Sequence, residues 1–347
     1  MRRHLLIVLA SALGLCLSAE WSPALHARPA DDPHLVVYQG DRGPGAGKRI
    51  VFLAGDHEYR SEETLPALAR LLARHYGFTC SVFFTTDPKT GFIEPGSSDI
   101  SGLEALRTAD LLVIFLRFQD FPDAEMQHIV DYLDRGGPVV GLRTATHAFQ
   151  IQRPDAKFLK YTWRGADGYP GGFGRQILGE TWVSHYGTNH KQSSRLILQD
   201  AEASHPILRG VKDVWVQSGG YTADPIAGSH VLALGQILNG MTPDSPPAAD
   251  KQQMPVAWYR SYQSASGKAG RVFTTTHGAS EDLLNEGFRR LLVNATFWAA
   301  GMDASIRPSN DVSLVGPFAP STFAFGGFVK GVKPADLAGW DAPIPKR

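Results

Sequence analysis

The chain has 347 residues, of which 43% are hydrophobic and 20% charged, a composition typical of a globular protein. At about 100–200 residues per domain, this length is enough for one large domain or two small ones. The 34 basic and 34 acidic residues give a formal net charge of +0, so the basic excess of a general nucleic-acid-binding protein is absent. We therefore expect no nucleic-acid partner.

The N-terminus has the pattern of a signal peptide. Arg2 and Arg3 precede an apolar run, Leu5 to Ala19, that is short for a membrane span. This predicts a signal peptide over residues 1–27 and an exported protein, periplasmic or secreted, without stable membrane insertion once the leader is removed. An uncleaved anchor is the alternative. Residues 28–47 are rich in Pro, Gly and Asp and are predicted to be a linker.

A strand–helix rhythm begins after this linker. Helical spacing of apolar residues, ended by Gly77 and Gly136, separates the short apolar runs. This alternation predicts a doubly wound, mainly parallel α/β sheet flanked by helices. Cys80 lies inside the second run and is predicted to be a buried thiol. The four apolar runs are residues 49–54, 78–85, 110–115 and 138–142.

The second half of the chain has three parts. Residues 150–190 are dense in Gly and aromatic residues and are predicted to be an insertion packed over the sheet edge. Strand-like runs return from residue 195 to 276, and a helix with one apolar stripe follows from Leu284 to Ala299. Residues 303–347 are predicted to be an irregular C-terminal extension that wraps the surface or trails.

Polar residues follow the first and fourth predicted strands, at the sheet edge where open α/β proteins bind ligands. Asp56, His57 and Glu58 follow the first strand and suit proton transfer or metal ligation. The alternative is a turn cap with a solvated histidine. Arg143 follows the fourth strand and presents a fork of donors for a carboxylate, phosphate or sugar hydroxyls. Its alternative is an ion pair with Asp56 or Glu58.

Hydroxyl and imidazole groups from separate segments are further candidates. Thr144 is a nucleophile only if a base lies beside it, and a hydrogen bond within the turn is the favoured interpretation. His147, His185 and His277 could converge at one edge and hold a divalent metal. Their spacing matches no diagnostic zinc motif, so a divalent metal remains an open alternative and no cofactor is assigned.

The aromatic residues of the insertion suit a sugar site. Trp163, Trp182 and Tyr186 offer ring faces for the C–H surfaces of a pyranose. A small hydrophobic cluster under a long loop explains them equally well.

Several segments together resemble the ThuA-like family of trehalose utilisation, over about residues 48–302. The resemblance implies a class I glutamine amidotransferase-like fold and a role in carbohydrate handling. Relatives in this superfamily carry a nucleophilic cysteine at the strand-to-helix elbow, where this chain has Arg143, and many ThuA-like chains read Gly-Leu-His-Ser there. His277 falls about where an amidotransferase places its triad histidine. The matching segments are 49–60, 110–115, 137–149, 205–210, 254–258, 270–277 and 288–295.

We therefore predict an exported protein that acts on a small carbohydrate, a trehalose-like disaccharide or an oxidised sugar, by acid/base chemistry without a cysteine nucleophile. It is not expected to be a glutamine amidotransferase. A non-catalytic sugar-binding or envelope-associated module and a metal-dependent hydrolase are the alternatives, and the oligomeric state is not predicted. The predicted catalytic residues are Asp56, His57, Arg143, Thr144 and His277. The predicted substrate contacts are Glu58, His147, Trp163, Trp182, His185 and Tyr186.

Overall fold

The computed structural model describes residues 32–166 and 168–345. The predicted signal peptide lies outside the described residues. The helices are α1 (Ser61–Tyr76), α2 (Asp123–Asp134) and α3 (Glu286–Ala299), with short 3₁₀ turns and one π-helical turn besides. The strands are β1 (Leu35–Gln39), β2 (Arg49–Gly55), β3 (Thr79–Phe84), β4 (Leu111–Leu116), β5 (Val139–Leu142), β6 (Gly165–Ala166), β7 (Tyr169–Pro170), β8 (His185–Tyr186), β9 (Ser193–Leu198), β10 (Trp215–Val216), β11 (Gly220–Tyr221), β12 (His230–Leu238), β13 (Met254–Gln263) and β14 (Ala269–Thr275).

Ten strands form one sheet in the order β1-β3-β2-β4-β5-β14-β13-β12-β9-β10. The strands from β3 to β14 in this order are parallel to one another, and β2 is the first of them in the chain. This is the order of a doubly wound sheet, with a switch point between β2 and β4 where the winding reverses. The predicted α/β fold class is confirmed. Antiparallel strands extend the sheet at both edges.

Helices cover both faces of the parallel strands, which is why those strands are apolar throughout. Successive side chains of a strand point to opposite faces. Ile50 and Phe52 of β2 pack in the cluster that contains α1 and α3, and Val51 and Leu53 pack in the cluster that contains α2. The four predicted strands 49–54, 78–85, 110–115 and 138–142 correspond to β2, β3, β4 and β5, with ends that differ by a single residue.

Cys80 lies in β3 and is buried without a disulfide, as predicted. Burial raises the pKa of its thiol well above the usual value, so the sulfur stays protonated and unreactive. Among the described residues, no helix combines the length and the hydrophobicity that crossing a bilayer requires.

The linker prediction is wrong for part of its range. Residues 35–39 form β1, which pairs antiparallel with β3 and closes one edge of the sheet. The alternation in Leu35-Val-Val-Tyr-Gln39 was the available signal, since Val36 and Tyr38 are buried while their neighbours are partly exposed. The surrounding Pro and Gly residues obscured this short strand.

The C-terminal extension wraps the molecule and does not trail. Arg70, fully buried in α1, donates to the carbonyl oxygens of Leu337 at 2.8 Å and Ala342 at 2.6 Å. The Tyr38 hydroxyl donates to the same Leu337 carbonyl at 2.8 Å. Phe323 is fully buried against the Tyr59 ring, with centroids 5.1 Å apart. These contacts fix the extension to the first strand–helix unit.

We expect Phe323→Ala to lower the free energy of unfolding by about 3–5 kcal/mol, because it removes a fully buried aromatic ring. Urea unfolding followed by circular dichroism measures this change. Limited proteolysis should then cut the extension faster than in the unaltered chain. Leu284→Ala is the control, since Leu284 is 52% exposed and its loss should change stability by less than about 0.5 kcal/mol. Equal effects of the two changes would contradict this account.

Candidate functional site

Polar side chains lie close together at the carboxyl ends of the parallel strands β2, β4, β5 and β14. This edge is where doubly wound folds bind ligands. The backbone is also strained here. Four of the five non-glycine residues with positive φ in the described part of the chain lie at this edge or in segments that pack against it. Such conformations are costly and concentrate at functional sites. The four residues are Arg60 (φ 66°), Phe118 (φ 52°), Arg143 (φ 45°) and His190 (φ 62°).

Asp56 shapes the turn that follows β2. Its buried Oδ1 accepts from the backbone N–H of Glu58 at 2.8 Å and from that of Tyr59. Its own N–H donates to Ser61 Oγ at 2.9 Å. This is the turn-cap alternative from the sequence, although Oδ2 has no hydrogen-bond partner. By holding the turn, Asp56 directs the next three side chains toward the sheet edge.

A hydrogen-bonded chain runs along this edge. Glu58 forms an ion pair with Arg117, which follows β4, and both are largely buried. Asn189 Nδ2 donates to Glu58 Oε1 at 3.3 Å and to the Tyr59 hydroxyl at 3.0 Å. The Tyr59 hydroxyl in turn lies 3.0 Å from Nε2 of His185. Residues from three separate segments are thereby connected into one polar network.

Arg143 lies beneath this network. Its guanidinium carbon is 3.8 Å from the ring centre of Tyr59 and 4.7 Å from that of Tyr221, which places a cation against both aromatic faces. Nη1 donates to the carbonyl oxygens of Thr276, at 2.6 Å, and Gly219. The residue is fully buried.

The predicted ligand clamp at Arg143 does not fit this geometry, because the side chain has no exposed surface. The alternative ion pair with Asp56 or Glu58 is also absent, since Glu58 pairs with Arg117. Arg143 holds two tyrosine rings and places a positive charge under them. The neighbouring Thr144 is buried and its Oγ1 has no hydrogen-bond partner, so neither an activating base nor the expected turn hydrogen bond is present.

His277 is the centre of a second, buried chain. Its Nδ1 lies 3.2 Å from Ser218 Oγ, which donates to Asp282 Oδ2 at 2.6 Å. Asp282 also accepts from the backbone N–H groups of Gly278 and Ala279, both at 3.0 Å. Burial lowers the pKa of His277 well below its usual value, so the imidazole is neutral. It has no exposed surface and therefore cannot act directly on a ligand in this conformation.

His147 is packed among aromatic rings. Its centroid lies 4.8 Å from Phe118, 5.3 Å from Trp182 and 5.7 Å from Tyr221. Burial lowers its pKa well below the usual value. Only 1% of the surface of His147 is exposed. Its ring therefore supports the aromatic residues packed on it and is not accessible to a ligand.

The aromatic residues of the insertion reach the same edge. The half-buried rings of Trp163 and Trp182 lie 5.7 Å apart and pack on Phe118 at 5.5 and 6.4 Å. Nε1 of Trp182 has no hydrogen-bond partner, and its ring is 5.7 Å from exposed His185. Tyr186, the next residue along β8, instead donates to the carbonyl oxygen of Gln252 at 2.7 Å. Tyr186 does not pack with Trp163 and Trp182, because successive side chains of a strand point to opposite faces.

Two imidazoles at this edge are uncharged near neutral pH. Although His185 is exposed as a whole residue, its ring packs against Trp182 and Tyr221, and this desolvation, helped by the charges of Arg143 and Arg117, lowers its pKa to about 4. Burial also lowers the pKa of half-buried His57, and Arg117 acts in the same direction. A neutral imidazole has one N–H donor and one acceptor nitrogen, so each can pass on a proton or hydrogen-bond a ligand without becoming charged.

The histidines do not converge on one point. In residues 32–166 and 168–345, no group of three or more His, Cys, Asp or Glu side chains is arranged to hold a metal ion. His147 and His277 are enclosed by other side chains, and His185 bonds to a tyrosine. The donor set of a metal centre is therefore not assembled here.

Sequence reasoning missed several members of the site. Arg117 follows β4 as Arg143 follows β5, so the rule that selected Arg143 would also have found it. Tyr59 lies in the same polar turn as Asp56 and Glu58, so that turn was the available signal for it. Asn189 and Tyr221 reach the edge only through the folding of the long segment between β5 and β14, and no local pattern marked them.

The fold and this edge define a doubly wound α/β protein with a polar and aromatic site and no cysteine at its elbow. The sequence profile of the ThuA family, described as trehalose utilisation, matches residues 49–299. The chain therefore belongs to the ThuA family, which gives it a carbohydrate-related role. The matched region includes β2 through α3 and ends before the C-terminal extension.

Three solved structures are similar to this chain at low sequence identity. A ThuA-like protein from Parabacteroides merdae ATCC 43184 is 14% identical, with a TM-score of 0.43 over 81% of this chain and 95% of its own. The N-terminal domain of mmIFT52 is 13% identical (TM-score 0.39, 73% and 97% covered). Cytoplasmic protein STM3548 from Salmonella typhimurium is 11% identical (TM-score 0.39, 72% and 98% covered). No curated protein matches this chain significantly.

We expect His185 to titrate with a midpoint at about pH 4, because burial and the two nearby arginines disfavour its charged form. Proton NMR of the imidazole C–H resonances between pH 3 and 8 measures this directly. His185→Gln identifies the resonance by its disappearance. A midpoint between pH 6 and 7 would show that the imidazole is solvated and that the network around it is not formed.

Proposed function

We propose that this protein binds a sugar, a trehalose-like disaccharide or an oxidised sugar, at the carboxyl edge of its parallel sheet and processes it by acid/base chemistry without a cysteine nucleophile. Membership of the ThuA family supports the carbohydrate. The observation that carries the chemistry is the 3.0 Å contact between the Tyr59 hydroxyl and Nε2 of exposed His185, beside the half-buried rings of Trp163 and Trp182. Ring faces next to polar groups match the two kinds of surface that a pyranose presents.

The hydrogen-bond partners decide which atom of His185 faces the ligand. Glu58 only accepts, so Asn189 must turn its NH₂ toward both Glu58 and Tyr59. The Tyr59 oxygen then accepts from Asn189 and has its proton free for His185 Nε2. The neutral imidazole consequently carries its own proton on Nδ1. His185 is thus set up as a donor to a sugar oxygen.

A proton relay follows from this arrangement. His185 transfers its Nδ1 proton to an oxygen of the sugar and takes the hydroxyl proton of Tyr59 at Nε2. The imidazole stays neutral throughout, and the negative charge appears on the Tyr59 oxygen. Asn189 donates to that oxygen, and the Arg143 guanidinium lies 3.8 Å from the ring centre. Burial raises the pKa of Tyr59, and the nearby Arg143 charge opposes that rise, so Arg143 acts through Tyr59 as a positioning residue that stabilises the developing charge.

The two predicted acid/base residues after β2 take different parts in this proposal. Asp56 holds the turn through its Oδ1. His57 is half-buried with Nδ1 unpartnered, and it serves as a second neutral imidazole on the far side of Glu58 and Arg117. The enclosed residues Thr144, His147 and His277 support the site from below.

A non-catalytic sugar-binding module is the second candidate. One observation favours it: five of the predicted active groups are at most 1% exposed, so they are closed to a ligand. These groups are Asp56, Arg143, Thr144, His147 and His277. The metal-dependent hydrolase is not proposed further, because the described side chains assemble no ligand set.

Export remains part of the proposal. Its support is the basic pair Arg2 and Arg3 followed by the apolar run from Leu5 to Ala19. A periplasmic or secreted location would give the protein access to sugars outside the cytoplasm.

Trp182→Ala should weaken sugar binding by about tenfold or more, as loss of an aromatic contact at the centre of a site does. Isothermal titration with trehalose, lactobionate, glucose and gluconate measures the affinities. Trp215→Ala is the matched control, since the Trp215 indole donates to Ser193 on the outer antiparallel strands. If no sugar binds the unaltered chain at millimolar concentration, the proposed function is wrong.

Tyr59→Phe separates the two candidates. It keeps the ring over Arg143 and removes only the hydroxyl of the relay. An enzyme should lose about 10²-fold or more in kcat with little change in KM, because general-acid catalysis is removed while binding stays. The assay follows the conversion of whichever sugar binds, by chromatography. If the unaltered chain binds a sugar but does not convert it, the protein is a non-catalytic binding module.

A further inference from the structure

The C-terminal extension begins after the residues that match the family, yet it forms one wall of the candidate site. Buried Arg60 donates to the carbonyl oxygens of Thr322, at 3.2 Å, and Ala324, at 2.9 Å. Glu63 accepts from the backbone N–H of Ser321 at 2.8 Å. The segment from Ser321 to Ala324 is therefore held firmly against the start of α1.

Two phenylalanines of this wall differ sharply in exposure. Phe323 is fully buried, against the rings of Tyr59 and His190 at 5.1 and 4.4 Å. Phe325 is 61% exposed, the largest value among the large hydrophobic side chains of the described residues. Phe323 therefore anchors the extension. Phe325 is not needed for that anchoring, so its exposure calls for another explanation.

The position of Phe325 is fixed by its turn. Gly326 adopts φ 63°, a conformation that favours glycine, and its N–H donates to the His57 carbonyl oxygen at 2.9 Å. The Phe325 ring lies 4.6 Å from the guanidinium carbon of Arg117 and 5.6 Å from the His57 ring. An exposed aromatic ring is therefore held directly over polar groups of the site.

Aromatic rings flank the Arg117–Glu58 ion pair on more than one side. The Arg117 guanidinium carbon is 5.5 Å from the Phe118 ring, on which Trp163 and Trp182 pack. Beside Phe325, His57 is only half-buried, so part of its imidazole is open next to the exposed ring. An exposed aromatic face next to polar side chains matches a ligand that has both C–H faces and hydroxyl groups.

We propose that Phe325 forms a second sugar subsite, in which one pyranose ring stacks on Phe325 and directs hydroxyls toward His57 and Arg117, while the first ring occupies the Trp163–Trp182 subsite. This inference rests on the proposed function and deepens it. It makes the extension, which the family profile does not include, a determinant of ligand length. A two-ring sugar gains both contacts, and a one-ring sugar gains one.

Phe325→Ala tests the subsite by isothermal titration with two matched pairs of probes, trehalose with glucose and lactobionate with gluconate. We expect the affinity for the two-ring sugar to fall by about five- to tenfold, as the loss of one ring contact predicts. The one-ring affinity should stay within about twofold. Phe325→Trp should restore the two-ring affinity, and Leu284→Ala, another exposed apolar side chain, should change neither.

The outcomes separate this inference from the function on which it rests. Two-ring binding that is lost in Trp182→Ala but unchanged in Phe325→Ala overturns the second subsite and leaves the sugar-binding function in place. Equal weakening of one-ring and two-ring sugars also overturns it. Absence of binding to all four probes in the unaltered chain sinks both proposals. Thermal unfolding of Phe325→Ala should match the unaltered chain, because the side chain is exposed.

Discussion

Buried arginines that donate to backbone carbonyls connect the parts of this molecule. Arg60, Arg70 and Arg143 are all fully buried, and none forms a salt bridge within the described residues. An isolated buried charge is costly, so each guanidinium must be compensated where it lies. Carbonyl oxygens from distant segments supply that compensation, as do the tyrosine rings beside Arg70 and Arg143. Removing any one of these arginines would remove its hydrogen bonds to two carbonyl groups.

These contacts also explain how the site is assembled. Arg143 ties the end of β5 to the end of β14 and to the segment before β11. Arg60 and Arg70 bind the C-terminal extension to α1. The parallel strands thus provide a rigid floor, and two long excursions of the chain provide the walls. Phe325 and Trp182 come from these walls, so ligand contacts depend on segments with little regular structure of their own.

Arg143 occupies the turn after β5, and the free cysteine of the described residues, Cys80, is buried in β3. The arginine has no exposed surface and packs against the ring of Tyr59, which is itself fully buried. His185, whose Nε2 contacts the Tyr59 hydroxyl, is the exposed end of this arrangement. The backbone has positive φ at Arg143 and at Phe118, at the same edge. The turn after β5 therefore positions neighbouring side chains.

The sequence by itself determined the parallel core, because apolar runs with both faces buried and helical spacing between them are local patterns. It also located the polar turns after β2 and β5, since residues that follow a strand must lie at its edge. It misassigned β1, whose short alternation is hidden among Pro and Gly. Only the tertiary structure decided which side chains are exposed. Arg143 and His277 are enclosed, while His185 and Phe325 are exposed. The physical reason is that burial and partner choice depend on contacts between residues far apart in the chain, such as Tyr59 with His185, and no local spacing records them.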